Sequence, residues 1–297
     1  MRIVKMIKHN LDLYKDQAPI RRLAFREFGD VTSENILLCI PGILENQNTF
    51  DEIVNFVDQH EGCRLITVDH CGRGKSDWLD EGSTYKMSVY LEDLRTLITH
   101  LHVTHKRLSR RLYLLGSSMG GLLALNLAAQ KELRVKGLIL NDVGLTVSWN
   151  GLFNLYNNKK NSQSTDSADV PLTKMHYDPR LLDAIRHPGH VDISYSLNFL
   201  GLHFDNGLQN FKGPVLLLRG KNSDICSSID EQVLMRYANH AEVMSLDGEG
   251  HPVSYGPEVL SKLSEILNLH KTSISLPNDL FSTEYQNYET YSMLACA

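Results

Sequence analysis

Short apolar runs recur along this chain at Ile36–Ile40, Arg64–Val68, Leu112–Leu115, Val135–Leu140 and Val215–Leu218. Each is separated from the next by a stretch long enough to carry a helix. Runs so poor in polar residues suit strands covered on both faces. Segments with helical spacing lie between them. Phe50, Ile53, Val54 and Val57 share one helix side behind a Thr49 cap, and Leu91, Leu94, Ile98 and Leu101 share another behind Ser88. Met119–Gln130, a segment near Glu231–Tyr237 and Pro257 to about Leu269 are further helices, and Glu242–Leu246 is a further strand. Ile20–Phe28 alternates in polarity and reads as an antiparallel strand. Strands alternating with helices predict an α/β fold with a mostly parallel sheet and helices on both faces.

The rhythm breaks after Asp142. From 143 to 209 no clear strand is visible, whereas Trp149, Phe153 and Tyr156 and then Pro171–Phe204 have helical spacing. Asn157–Asp169 between them is polar and reads as a loop. The expected organisation is a core at 1–142, a mainly helical cap at 143–209, the rest of the core at 210–271, and a polar tail at 272–297.

At 297 residues with 42% hydrophobic content, the chain is long enough to bury a large core. The net charge of −5 gives no reason to expect nucleic acid as a partner. The basic run His105–Arg111 reads as a solvated loop. The cysteines, Cys39, Cys63, Cys71, Cys226 and Cys296, are odd in number and form no Cys-x-x-Cys pair. That argues against a disulfide framework and a zinc site, and for reduced thiols in a cytoplasmic setting. Met1–Lys15 lacks the apolar centre of a signal peptide, and no stretch reaches the ~18 apolar residues of a membrane span. No metal, cofactor or stable membrane anchor is expected, and the oligomeric state is open.

Gly116-Ser117-Ser118-Met119-Gly120 matches Gly-x-Ser-x-Gly. The motif gains weight from its setting, with an apolar strand before it and an apolar helix after it. A nucleophile elbow needs that order, with glycines where strand and helix approach. Ser118 is therefore the candidate nucleophile. A serine hydroxyl needs a base. His251 lies in Gly248-Glu249-Gly250-His251-Pro252, between the last strand and the last helix, on the same sheet edge as Ser118. The base needs a carboxylate to fix its tautomer. Asp224, after Val215–Leu218, is the expected partner; Asp142, at the end of the preceding strand, is its competitor for the imidazole and is otherwise left a structural or cap-hinge role. The oxyanion donors expected are the N–H groups of Met119 and Ile43, with Leu44 second to Ile43. Leu44, Trp149, Phe153 and Tyr156 are candidate pocket residues for a small acyl substrate.

These loops together resemble the α/β-hydrolase family over about Ile20–Leu269. Asp69-His70-Cys71-Gly72-Arg73-Gly74-Lys75-Ser76 is similar to the family's Asp-x-x-Gly-x-Gly-x-Ser turn. Leu140–Gly144 and His176–Pro179 are similar to a bacterial branch. One departure is Pro41, where the family usually has His before Gly at the oxyanion loop. The resemblance implies a Ser-His-Asp triad without a cofactor, acting on small esters, thioesters, amides or lactones. The family also contains C–C hydrolases, acyltransferases and non-hydrolytic receptors.

Overall fold

The computed structural model describes residues 7–15, 18–103, 111–145 and 210–271, with Asp178, Arg180, Leu181 and Leu208. The expected cap helices, the pocket residues Trp149, Phe153 and Tyr156, most of the basic run and the tail from 272 lie outside the described residues.

Eight strands form one sheet. They are β1 (Ile7–Lys15), β2 (Ala18–Gly29), β3 (Asn35–Ile40), β5 (Arg64–Val68), β6 (Arg111–Ser117), β7 (Val135–Asn141), β8 (Val215–Gly220) and β9 (Glu242–Leu246). A two-residue strand, β4 (His60–Glu61), pairs separately with β10 (His270–Lys271). The sheet order is β1-β2-β5-β3-β6-β7-β8-β9. β1 and β2 are antiparallel to their neighbours, and the other pairings are parallel. The chain leaves β3 for β5 on one side and then crosses to β6 on the other. A crevice opens where the order reverses, outside the carboxyl ends of the strands.

Helices described in full are α1 (Asp51–Asp58), α2 (Met87–Val103), α3 (Met119–Ala128), α4 (Ser228–Tyr237) and α5 (Pro257–Leu267). Strand side chains alternate between two apolar cores, as a period of two requires. Leu38, Ile40, Leu114, Leu138 and Leu217 face a core shared with α2, α3 and α4. Leu37, Cys39, Leu115, Ile139 and Leu216 face a core shared with α1 and α5. The sheet is thus covered on both faces, as its apolar runs predict. Cys39, Cys63, Cys71 and Cys226 are buried thiols. Among the described residues, no helix is long and apolar enough to cross a membrane.

β1 was not expected from the sequence, where Met1–Lys15 reads only as a mixed polar and apolar stretch. Lone Leu11 and Leu13 among Lys, His, Asn and Asp leave little pattern to read. Tertiary contacts hold it. His9 stacks on Phe25 with ring centroids 4.7 Å apart, and it also lies 3.5 Å from the Glu27 carboxylate. Glu27 is buried in a two-pronged pair with Arg64, at 2.8 Å for each contact. Burial raises the Glu27 pKa, but hydrogen bonds from His9 and Arg64 outweigh it and hold the carboxyl at about 2.

The first helical turn also starts differently. A short 3₁₀ segment at Gln47–Phe50 precedes α1, and the Asn46 side chain caps it through Asn48 N–H at 2.9 Å. Thr49 therefore lies inside the turn and is not its cap. The Asp69 turn forms as the motif predicts. Its carboxylate accepts the backbone N–H groups of Gln47 and Lys75, both at 2.9 Å. Gly72 and Gly74 adopt positive φ of 80° and 55°.

Candidate active site

Ser118 connects β6 to α3 at φ 50° and ψ −118°, a conformation that L residues rarely occupy. The turn is possible because its neighbours lack side chains. A Cβ on Gly116 would lie 2.3 Å from the Gly120 carbonyl oxygen, and one on Gly120 would lie 2.0 Å from that of Ile40. Gly120 therefore lets the start of α3 pack directly on the loop after β3. The first-turn N–H of Met119 lies at the amino end of α3, where backbone donors are free for an anion.

His251 reaches this serine from the loop after β9. Its Nε2 is 2.9 Å from Ser118 Oγ, and its side chain is almost fully buried. Its Nδ1 is 2.7 Å from Asp142 Oδ2. The carboxylate fixes the tautomer. Nδ1–H donates to Asp142, which leaves Nε2 to accept from the serine hydroxyl.

The expected Asp224 contact is corrected here, because the carboxylate against His251 is that of Asp142. Asp142 follows directly on β7 at φ 53°, a left-handed conformation that Asp tolerates. That turn directs its side chain across the end of β8. Asp142 Oδ1 accepts Gly220 N–H at 2.9 Å, and Oδ2 also accepts the Ser223 hydroxyl. Asp142 is fully buried, whereas Asp224 is exposed. The loop after β8 thus supplies donors to the carboxylate instead of supplying the carboxylate itself.

Asn141 holds the histidine loop in place. Its amide donates to the Val253 carbonyl at 2.8 Å and accepts Val253 N–H at 2.9 Å. Asn222 N–H donates to the Glu249 carbonyl at 3.0 Å. Sequence reasoning passed over Asn141, Gly220 and Ser223 as partners. The available signal was Asn141-Asp142, a pair of residues suited to a tight turn at a strand end.

The loop after β3 lies beside the elbow. Several of its polar groups are paired. Pro41 C=O accepts from His70 Nε2 at 3.1 Å, which makes Nε2 the protonated nitrogen. Gly42 N–H donates to Glu45 Oε2 at 2.7 Å, and Gly42 C=O accepts Glu45 N–H at 3.3 Å. Ile43 C=O accepts from Arg73 Nε at 2.5 Å. Glu45 also accepts the Ser117 hydroxyl at 3.0 Å, which ties the loop to the elbow. Ile43 and Leu44, both buried, keep N–H groups with no partner recorded among the described residues. Burial, with the Arg73 charge adding to it, lowers the His70 pKa to about 3, so the ring is neutral near pH 7. Among the described residues, no group of three or more His, Cys, Asp or Glu side chains is placed to hold a metal ion.

The family model described as serine aminopeptidase, S33, matches residues 32–254, well over half of the chain. The chain belongs to this family of α/β-hydrolases. Among its relatives is a 3-hydroxybutyrate-oligomer hydrolase of Cupriavidus necator, 33% identical over 127 residues. That match covers 43% of this chain and 41% of the relative, so less than half of the relative's length is spanned. A sn-1-specific diacylglycerol lipase, ABHD11, of Mus musculus is 23% identical over 245 residues, covering 75% of this chain and 76% of the relative. An α/β-hydrolase structure from Novosphingobium aromaticivorans superposes with a TM-score of 0.69 at 23% identity, covering 90% of this chain and 99% of the other. At that identity the superposition supports the α/β-hydrolase fold. The curated relatives are ester hydrolases by name, and the family model places this chain in a hydrolase family.

Proposed function

We propose that this hydrolase cleaves a small ester or related acyl compound through an acyl-serine intermediate on Ser118. The observation that carries the reading is the unbroken chain of contacts from Ser118 Oγ to His251 Nε2, and from His251 Nδ1 to Asp142, at 2.9 and 2.7 Å. In the first step His251 takes the serine proton while Oγ attacks the acyl carbonyl carbon. The oxyanion that forms is held by the N–H groups of Met119 and Ile43. Support for Ile43 is that its N–H, like that of Leu44, has no hydrogen-bond partner among the described residues, while the Gly42 carbonyl of the same peptide is held by Glu45 N–H. The oxyanion collapses, the leaving oxygen departs with the proton from His251, and the acyl group stays on Ser118. Water, deprotonated by His251, then attacks the acyl carbon, and the acid is released as the proton returns to Ser118.

Buried Asp142 stabilises the imidazolium that forms in each half-reaction. This role replaces the expected one for Asp224. Leu44, buried beside Ile43, is a described candidate for contact with the acyl group. The names of the curated relatives favour an ester substrate. A reducing, cytoplasmic setting fits the buried thiols.

The test is hydrolysis of p-nitrophenyl esters from acetate to decanoate, paired with labelling by a fluorophosphonate. Ser118→Ala is expected to abolish labelling and lower kcat by about 10⁴-fold or more. Folded wild type that neither labels nor turns over any ester would exclude the acyl-serine route. The chain-length profile sizes the acyl pocket.

A further inference from the structure

Arg73 is a guanidinium buried to 1% exposure, and the proposed chemistry leaves it without a role. Removing a charge from water is costly unless a counter-charge compensates it. The buried arginines elsewhere follow that rule. Arg64 is paired with Glu27, and Arg21 with Asp93. Arg73 does not: among the described residues, no carboxylate lies within ion-pair distance of it. It donates instead to two backbone carbonyls, Nε to Ile43 and Nη1 to Cys71 at 3.0 Å. Its Nη2 is buried with no hydrogen-bond partner among the described residues. The guanidinium carbon lies 4.9 Å from the centre of the Tyr90 ring, which is itself fully buried. His70, whose ring centre lies 5.1 Å from that of Tyr90, is held neutral and adds no second positive charge.

The cation is therefore held one hydrogen bond from the residue that offers an N–H to the oxyanion. Its Nε fixes the peptide plane after Ile43, while Glu45 N–H on Gly42 C=O fixes the plane before it. In water-poor surroundings a charge that no neighbour cancels acts at longer range than one in a salt bridge. We infer that Arg73 is a positioning residue for the oxyanion loop, and that its charge, which no carboxylate among the described residues pairs, favours the anionic tetrahedral intermediate over the neutral ground state. The inference rests on the acyl-serine reading above. It assigns to the Asp69–Ser76 turn a part in the reaction beyond shaping the chain.

The test compares wild type with Arg73→Lys, Arg73→Gln and Arg73→Met in the full chain. Two readouts are used: kcat and KM for p-nitrophenyl butyrate, and the Kd of phenylethylboronic acid. In the boronate adduct boron accepts an electron pair from Ser118 Oγ, the serine proton passes to His251, and the resulting anion loads the oxyanion site. Arg73→Met is expected to lower kcat by about 10- to 100-fold with KM within about threefold, and to weaken the boronate by a similar factor. Lys keeps the charge and a donor, so it should recover part of both losses. Gln keeps a donor without charge and should recover less. If the Met variant fails to fold, the Lys and Gln variants decide, and equal activity in the two would overturn the charge argument. A rise in KM confined to a carboxylate-bearing ester such as p-nitrophenyl hydrogen succinate, with the neutral ester unaffected, would make Arg73 a substrate anchor and overturn the inference. Active wild type with unchanged variants overturns this inference alone. Wild type inert to both ester and boronate overturns the acyl-serine reading as well.

Discussion

Strands β7 and β8 lie side by side, run in the same direction, and are each followed by an aspartate on the carboxyl edge of the sheet. Asp142 comes immediately after β7 and is fully buried against His251. Asp224 comes four residues after β8 and is exposed. Both satisfy the chain order of serine, acid, histidine. The difference lies in how far the loop has travelled. A residue directly after a strand stays beneath its neighbours, and a left-handed turn at that point swings its side chain sideways over the adjacent strand. Four residues on, the chain has turned outward. Its inner part, Gly220 and Ser223, is occupied in hydrogen-bonding the buried carboxylate.

The strongest way to break this comparison is to change Asp142. Asp142→Asn keeps the volume but places an amide where His251, Gly220 and Ser223 all need an acceptor. The imidazole then loses the partner that fixes its tautomer and stabilises its charge. kcat is expected to fall by about 10³- to 10⁴-fold with KM little changed. Steady-state kinetics on a p-nitrophenyl ester read this directly. A loss smaller than tenfold would mean that another carboxylate serves the histidine, with Asp224 the first to examine.

Much of this architecture was legible before any coordinates. The continuous apolar runs identified the buried strands because a strand covered on both faces has no polar side to disguise it. The elbow was legible because Gly116 and Gly120 are demanded by backbone contacts that no other residue survives. His251 was legible because only one histidine sits in a glycine-rich loop between the last strand and the last helix. β1 was not, since an edge strand needs few apolar residues and draws its order from β2. Nor was the choice between Asp142 and Asp224. That choice depends on one backbone angle and on which side chain crosses to the neighbouring strand, and the Asn141-Asp142 pair at the strand end was its one faint signal. Arg73 was hidden for a similar reason. Its hydrogen-bond partners are backbone carbonyls, and backbone groups carry no sequence label.

The next change strikes the scaffold on the β7 side. Asn141→Leu removes both hydrogen bonds to Val253 and leaves a buried donor and acceptor unpaired. Each such group costs about 1–3 kcal/mol, so thermal or denaturant unfolding should show a loss of about 2–6 kcal/mol. Activity of the folded fraction should fall by about 10- to 100-fold, because the loop that carries His251 loses its fixed position. Stability loss without a change in kcat would show that Asn141 supports the fold alone, and that the histidine is placed by its contact with Asp142 and by the Asn222–Glu249 hydrogen bond.

The smallest effect is expected on the β8 side. Asp224→Asn changes an exposed carboxylate that lies beyond the residues serving Asp142. The hydrogen bonds of Ile225 and Cys226 N–H run to the Ser223 hydroxyl, both at 3.1 Å, so the turn around position 224 does not depend on its carboxylate for them. Surface substitutions of this kind usually stay within about 0.5 kcal/mol in stability. kcat and KM should stay within about twofold of wild type, since removal of one screened surface charge changes a buried site only weakly. The measurement is most informative alongside Asp142→Asn and as a double variant. If Asp224→Asn alone is silent and the double variant matches Asp142→Asn, the site uses one acid. If the double variant is much slower than Asp142→Asn, Asp224 takes over when Asp142 is lost, and the two strand ends hold alternative partners for the same histidine.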